Sequence, residues 1–185
     1  MRIIARAVRS RVECVEYLKV YLPEAVILFD TTGNAMDTFL SAMILAGSDA
    51  CVHMEEDIFI TKNFVEKLEK AVFDRPLEVI QFFSMRGDDL KIGSRHDCGR
   101  TFMMNQCFYL PAGYSKMIHD YYPRWPQKDY HKTGYDILIA DFLKERKEKY
   151  YIHVPSLVQH RNCQSVINPK RPRFRQSKTF VDGIQ

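Results

Sequence analysis

The first half of the chain alternates short apolar runs with stretches of helical period, and few folds accept that alternation. RIIARAV (2–8) predicts a strand. Behind it Val12, Val15, Leu18 and Leu22 recur at spacings of three and four, which predicts a helix closed by Pro23. AVILF (25–29) is unbroken apolar and predicts a strand buried on both faces, with Asp30 at its carboxyl end. Phe39, Leu40, Met43, Ile44 and Ala46 predict a second helix stopped by Gly47. DACVHM (49–54) predicts a third strand running into Glu55-Glu56-Asp57. The stretch 61–73 predicts a helix with Phe64, Val65, Leu68 and Val72 on one face, and VIQFFSM (79–85) a fourth strand. Strands separated by helices predict a mostly parallel sheet flanked by helices, an α/β domain. Ligands bind such sheets beyond the carboxyl ends of the strands, where Asp30 and the acid triplet fall.

The second half is less regular. The polar stretch 86–100 reads as a long loop, FMMNQCFYLP (102–111) as a buried strand, and the proline- and aromatic-rich 121–134 as another loop. Ile137, Leu138, Phe142 and Leu143 mark a helix over 135–147, and YYIHVPSLVQH (150–160) a strand that runs into Pro155. A length of 185 residues fits one domain, and 46% hydrophobic against 27% charged residues suits a globular chain rather than a disordered one. No apolar run approaches the ~20 residues of a membrane span. The basic start MRIIARAVRSR lacks the apolar core of a secretory signal. The expectation is a cytoplasmic monomer with no membrane partner. Cys14, Cys51, Cys98, Cys107 and Cys163 are odd in number and widely spaced, which disfavours a disulfide scaffold and a CxxC zinc site.

Charge is unevenly placed. Of the net +4, the last 25 residues carry six basic side chains (Arg161, Lys170, Arg171, Arg173, Arg175, Lys178) against Asp182, so the body is nearly neutral. A cationic arm suits an anionic partner, either a nucleic-acid backbone or a phosphorylated small molecule; it also suits a solvated tail.

Three consecutive acids at a strand end are the sharpest local signal. Clustered carboxylates repel unless a cation neutralises them, and Mg²⁺ or Mn²⁺ prefer oxygen ligands. An acidic turn ahead of a helix explains the same triplet through the helix dipole. His160 closes VPSLVQH, and Asp136 begins the helix in TGYDILIADFL; each has a structural reading, as a packed histidine and as a helix-dipole charge. Asp136 also suits a general base beside an acceptor hydroxyl. Walker A and GxGxxG phosphate loops are absent from the sequence.

SDACVHMEEDIFITKNFVEKLEKAV resembles the strand–LEDDI–helix signature of glycosyltransferases with the GT-A fold, a nucleotide-sugar-binding α/β sandwich. GYDILIADFL…YYIHVPSLVQH resembles that family's G-x-D…PSLVQH block. The resemblance runs from Arg2 to about Lys178 and includes small enzymes encoded by bacteriophages. It implies a metal-dependent inverting transferase using a UDP-sugar, with Mn²⁺ or Mg²⁺ held by Asp57, His160 and Glu55, and with Asp136 as base. The donor would meet Arg6, Arg9, Arg11, Asp30, Asn34, Glu56 and Lys178. The acceptor would meet Arg95, Asn105, Gln106, Trp125, Arg173 and Arg175. Residues 1–168 would form the catalytic domain, and the basic 169–185 tail would close over its site. The phage likeness and the cationic arm together point to 5-hydroxymethylcytosine or 5-hydroxymethyluracil in DNA as acceptor; a glycan, lipid or protein hydroxyl is the rival. A metal-dependent hydrolase or nuclease, and a non-enzymatic nucleic-acid-binding module, are the other classes that the residues admit.

Overall fold

The structure, a computed structural model, describes residues 1–131, 133–166 and 175–184. Among the described residues nine strands form two sheets. Seven make the central sheet: β1 (Arg2–Ala7), β2 (Val26–Phe29), β3 (Cys51–Glu55), β5 (Ile80–Gln81), β6 (Arg95–Cys98), β7 (Cys107–Leu110) and β8 (Lys149–Ile152). Their spatial order is β2-β1-β3-β7-β5-β8-β6. β1 pairs parallel with β2 and β3, and β5 with β8; β7 runs antiparallel to β3 and β5, and β6 to β8. Five strands therefore share one direction, and the sheet is mainly parallel. The two remaining strands, β4 (Ile58–Ile60) and β9 (Val158–His160), pair antiparallel in a small second layer.

Helices cover both faces, and the two-residue period of the strands decides which core each side chain enters. Ile3 and Ala5 of β1, Val52 and Met54 of β3, and Cys107 and Tyr109 of β7 join one core. There they meet α1 (Val12–Tyr21), α3 (Phe64–Asp74) and the β4–β9 layer. Phe108 and Leu110 of β7 and Tyr150 and Ile152 of β8 point the other way. They pack against α2 (Ala35–Ala46), α5 (Tyr114–Tyr121) and α6 (Tyr135–Glu145). α2 starts where the Asn34 side chain accepts from the Met36 N–H at 2.9 Å, and stops at Gly47, whose φ of 60° suits glycine. A short helix, α4 (Asp89–Ile92), precedes β6. This mixed α/β arrangement is compatible with a Rossmann-like fold.

Several expectations change. β2 is the sheet's edge and is only partly buried, not covered on both faces, because no strand lies beyond it. The stretch 86–100 holds α4 and the opposite edge strand, β6, rather than a plain loop. The run 150–160 is two strands that serve different sheets, with β9 leaving the main sheet to pair with β4, where the sequence predicts no element. The fourth strand shrinks to the two residues of β5.

Candidate active site

Parallel β1, β2 and β3 end at the same edge, and antiparallel β7 begins there. The backbone ties the four ends together. Asp30 N–H donates to Ala7 C=O at 2.7 Å, Glu56 N–H to Arg6 C=O at 3.0 Å, and Glu55 N–H to Gln106 C=O at 2.9 Å. Just past β9 a fourth contact joins them, with Arg161 N–H on Asp57 C=O at 2.8 Å. A cavity of about 500 Å³ opens at this edge. It gathers Arg6, Arg11, Asp30, Glu55, Glu56, Asp57, Asn105, Gln106, Asp136 and Arg175 from the expected site residues. Residues as far apart in sequence as 6 and 175 therefore share one solvent-reachable space.

Electrostatics on the α1 side are dense. Arg11 Nη1 lies 3.0 Å from Glu56 Oε1 and 2.5 Å from Asp57 Oδ2, with all three side chains largely buried. His160, which lies beneath the cavity rather than lining it, places Nε2 3.2 Å from Asp57 Oδ2, and Arg175 Nη2 also meets that nitrogen. Burial alone would raise the Asp57 carboxyl. The hydrogen bond and charge of His160, with Arg11 and Arg175, outweigh it and hold Asp57 below the usual carboxylate range. Glu56 goes the other way. Burial and then the neighbouring charge of Asp57 push it up to about 7, against the pull of Arg11.

The α6 side is built differently. Arg6 lies beneath the rings of Phe39, Phe108 and Tyr135, and the Tyr135 hydroxyl donates to Glu55 Oε1. Burial and the Glu55 charge drive the Tyr135 phenol well above its ordinary value, so it is a lasting donor. Asp136 follows directly on α6, half-buried on the cavity wall, with Oδ1 accepting from the Ile137 N–H at 3.0 Å. Tyr135 was not among the expected site residues; its place next to Asp136 at the start of a helix was the available signal. Met85, Met103 and Met104 supply an apolar wall that no motif announced. Met104 has φ 65°, and its carbonyl accepts from the Gln81 amide at 2.9 Å, which fixes the chain just before Asn105 and Gln106.

Other expected residues lie elsewhere. Arg9 is exposed, its guanidinium 5.5 Å from the Phe29 ring. Asn34 is spent on capping α2, and Lys178 is exposed outside the cavity lining. Arg95 belongs to the far edge strand, where it pairs with Asp88 and Asp89 at 3.2 and 3.0 Å. Trp125 is a core residue, 1% exposed, with its indole N–H on Asp141 Oδ2 at 2.9 Å, so its faces are already covered by the protein. Arg173 lies outside the described residues. The described part of the tail, 175–184, packs on the small sheet. Ser177 and Thr179 are buried, Thr61 bridges to Gly183, and Tyr17 Oη donates to Ile184 C=O at 2.7 Å.

A divalent cation at this site would have to be shared with a ligand. Among the described residues no three His, Cys, Asp or Glu side chains are grouped to cage one. Asp57 Oδ1 is nevertheless buried without a partner, beside an imidazole. Mg²⁺ and Mn²⁺ commonly take one or two protein ligands and complete their shell with phosphate oxygens and water.

No family model matches the chain, and no curated protein matches it. The solved structures that are distantly similar include two viral ones. The crystal structure of A197 from STIV is 17% identical with a TM-score of 0.45, over 86% of this chain and 84% of that one. A glycosyltransferase involved in the glycosylation of the major capsid of PBCV-1 is 9% identical with a TM-score of 0.34, over 84% and 95%. Neither likeness is close enough to carry an argument about this chain. Among the described residues no helix is long and apolar enough to cross a membrane.

Proposed function

We propose that this chain is an inverting glycosyltransferase of the GT-A type, moving a sugar from a UDP-sugar to a hydroxyl acceptor. One observation carries the reading: a single cavity at the carboxyl edge of a mainly parallel sheet collects the acid triplet, Asp136 and three arginines. A sugar diphosphate needs cationic groups where charge grows on the leaving phosphate, and a carboxylate where the acceptor hydroxyl loses its proton. Arg11 starts α1 and Asp136 starts α6, and these helices pack on opposite faces of the sheet. The two requirements are thus met from two sides of one space. Asp136 takes the hydroxyl proton; Arg11 and Arg175 orient the phosphates; Asp30 and Glu56, on the same cavity wall, meet the nucleoside.

Asp57 and His160, with Glu55 at the strand end, are the residues that would hold Mn²⁺ or Mg²⁺. When bound, such an ion offsets the charge of the departing diphosphate. Arg175 on the cavity wall supports the further reading that the basic tail after residue 168 closes over the donor.

For the acceptor, the cationic arm and the hydroxyl chemistry beside Asp136 support a 5-hydroxymethylpyrimidine in DNA. The burial of Trp125 and the pairing of Arg95 favour the second reading, a glycan, lipid or protein hydroxyl, because they remove two of the groups that a DNA strand would have used. Incubation with UDP-sugars and hydroxymethylated DNA, then digestion to nucleosides and mass spectrometry, tests the choice. A hexose adduct supports DNA. Transfer to another hydroxyl, with no nucleoside adduct, assigns the second reading.

A further inference from the structure

Arg6 is a cation without an assigned counter-ion. Its side chain lines the cavity, yet the residue is only 5% exposed. Nη1 has no hydrogen-bond partner; the other polar neighbours of the guanidinium are the Asn105 carbonyl, a long 3.4 Å from Nη2, and the Tyr135 hydroxyl. Among the described residues no carboxylate forms an ion pair with it; its neighbours are the rings of Tyr135, Phe39 and Phe108, with centroids 5.0, 5.5 and 5.9 Å from the guanidinium carbon. A guanidinium so placed has lost water and gained ring faces and two weak neutral acceptors, which replace little of its hydration. Next to it on the same cavity wall, Gln106 is 3% exposed and its Oε1 also lacks a partner. The floor of the site therefore offers one charged donor and one neutral acceptor, both unsatisfied, within reach of a bound ligand. Such a pair is complementary to a hydroxylated monoanion: an anionic oxygen on Arg6, and a hydroxyl proton on Gln106.

We propose that Arg6 and Gln106 form a subsite for an acidic sugar, so that the transferred group carries a carboxylate, as a uronic acid does. This rests on the reading of the chain as a glycosyltransferase. Three features favour the sugar over the diphosphate as the source of the anion. Arg6 projects from the α2–α6 face of the sheet, against the ring of Tyr135, the residue before Asp136, whereas Arg11 precedes α1 on the other face. Arg6 is the register neighbour of Glu55, whose carboxylate repels a phosphate dianion more than a carboxylate. Its depth suits a small group rather than a polymer backbone. A neutral sugar in this place would leave Arg6 Nη1 without an anionic acceptor, and sites with buried unpaired polar groups discriminate strongly between ligands that fill them and ligands that do not.

The test is isothermal titration of the full chain with UDP, UDP-glucose and UDP-glucuronic acid, each with Mn²⁺, for wild type, Arg6→Gln and Arg6→Lys. UDP-glucuronic acid is expected to bind at least tenfold more tightly than UDP-glucose. Arg6→Gln should abolish that ratio while leaving UDP within twofold of wild type, and Arg6→Lys should keep part of the ratio. Equal wild-type affinity for the two sugars overturns the proposal. So does an Arg6→Gln variant that, with its thermal transition intact, weakens UDP as much as UDP-glucuronic acid, since Arg6 then serves the phosphates. If no uridine nucleotide binds, the glycosyltransferase reading fails separately. The subsite is then decided by thermal shift with free glucuronate against glucose. Stabilisation by glucuronate alone, absent in Arg6→Gln, keeps the subsite, and no stabilisation overturns it.

Discussion

Replacing Arg11 with methionine removes the guanidinium that bridges two adjacent buried carboxylates while retaining much of its apolar stem. The side chains of Arg11, Glu56 and Asp57 are 14%, 7% and 3% exposed. Removing one partner of a buried ion pair costs ~3–5 kcal/mol, and the residual exposure of Arg11 argues for the lower end, about 3 kcal/mol. For a domain of this size that lowers Tm by about 6–12 °C. The loss should depend on pH with a defined sign. Glu56 is an acid whose folded value, about 7, already lies above its ordinary 4.5, first through burial and then through Asp57. Between those values the folded chain holds a proton that the unfolded chain has released, so the contribution of this group to stability falls as pH rises. Without Arg11 the carboxyl shifts further up, and the fall becomes steeper and extends past pH 7. Asp57, held low, acts in the opposite sense, but only at more acid pH. Urea unfolding in EDTA at pH 5.5 and pH 8 reads the difference. The expected deficit is about 3 kcal/mol at pH 8 and about half of that at pH 5.5. A deficit equal at both pH values, or below about 0.5 kcal/mol at pH 8, would refute the argument that Arg11 neutralises this pair.

Asp136→Asn should leave the dissociation constant for UDP unchanged while turnover falls by ~10²–10⁴-fold, as loss of a general base predicts; an unchanged kcat rules Asp136 out. NMR of the wild-type product should show an inverted anomeric centre. Gly99→Ala tests the packing of the loop before β7, where an added Cβ would sit 2.4 Å from Leu143 Cβ and 2.9 Å from its backbone carbon. A cost of ~1–3 kcal/mol in urea unfolding is expected. His53 is fully buried, stacks on Phe108 and contacts Ser115 Oγ at 3.2 Å; burial, with Arg6, keeps it neutral well below its ordinary 6.5. Its folded value is depressed, so stability should decline as pH falls below 6.5. The decline from pH 6.5 to 5 should be shallower in His53→Gln, and equal slopes would count against a buried neutral imidazole.

Most of the site was legible because strand ends are legible. Arg6 and Glu55 stand out as charges at the ends of apolar runs, and a mainly parallel sheet sends such ends to one edge. The β4–β9 layer was not legible. Ile58–Ile60 and Val158–His160 are three residues each, too short for a period to show, and their pairing spans about 100 positions. The edge position of β2 was hidden for a related reason: AVILF is as apolar as a central strand, and only the order of strands reveals that one side is open. Trp125 sits in a proline-rich stretch that looks exposed. It joins the core with side chains of α5 and α6, and Asp141, sixteen residues on, captures the indole N–H. Arg95 looked like a loop cation because RHDC (95–98) is polar, as an edge strand can be.

The most direct test of the central claim is calorimetric titration of UDP into wild type and Asp57→Asn, each with Mn²⁺ and with EDTA. The account predicts that UDP binds wild type with Mn²⁺, that EDTA weakens this binding at least tenfold, and that Asp57→Asn erases the difference between the two conditions while remaining folded. Absence of UDP binding to wild type under either condition, or a Mn²⁺ dependence unchanged in Asp57→Asn, would contradict it.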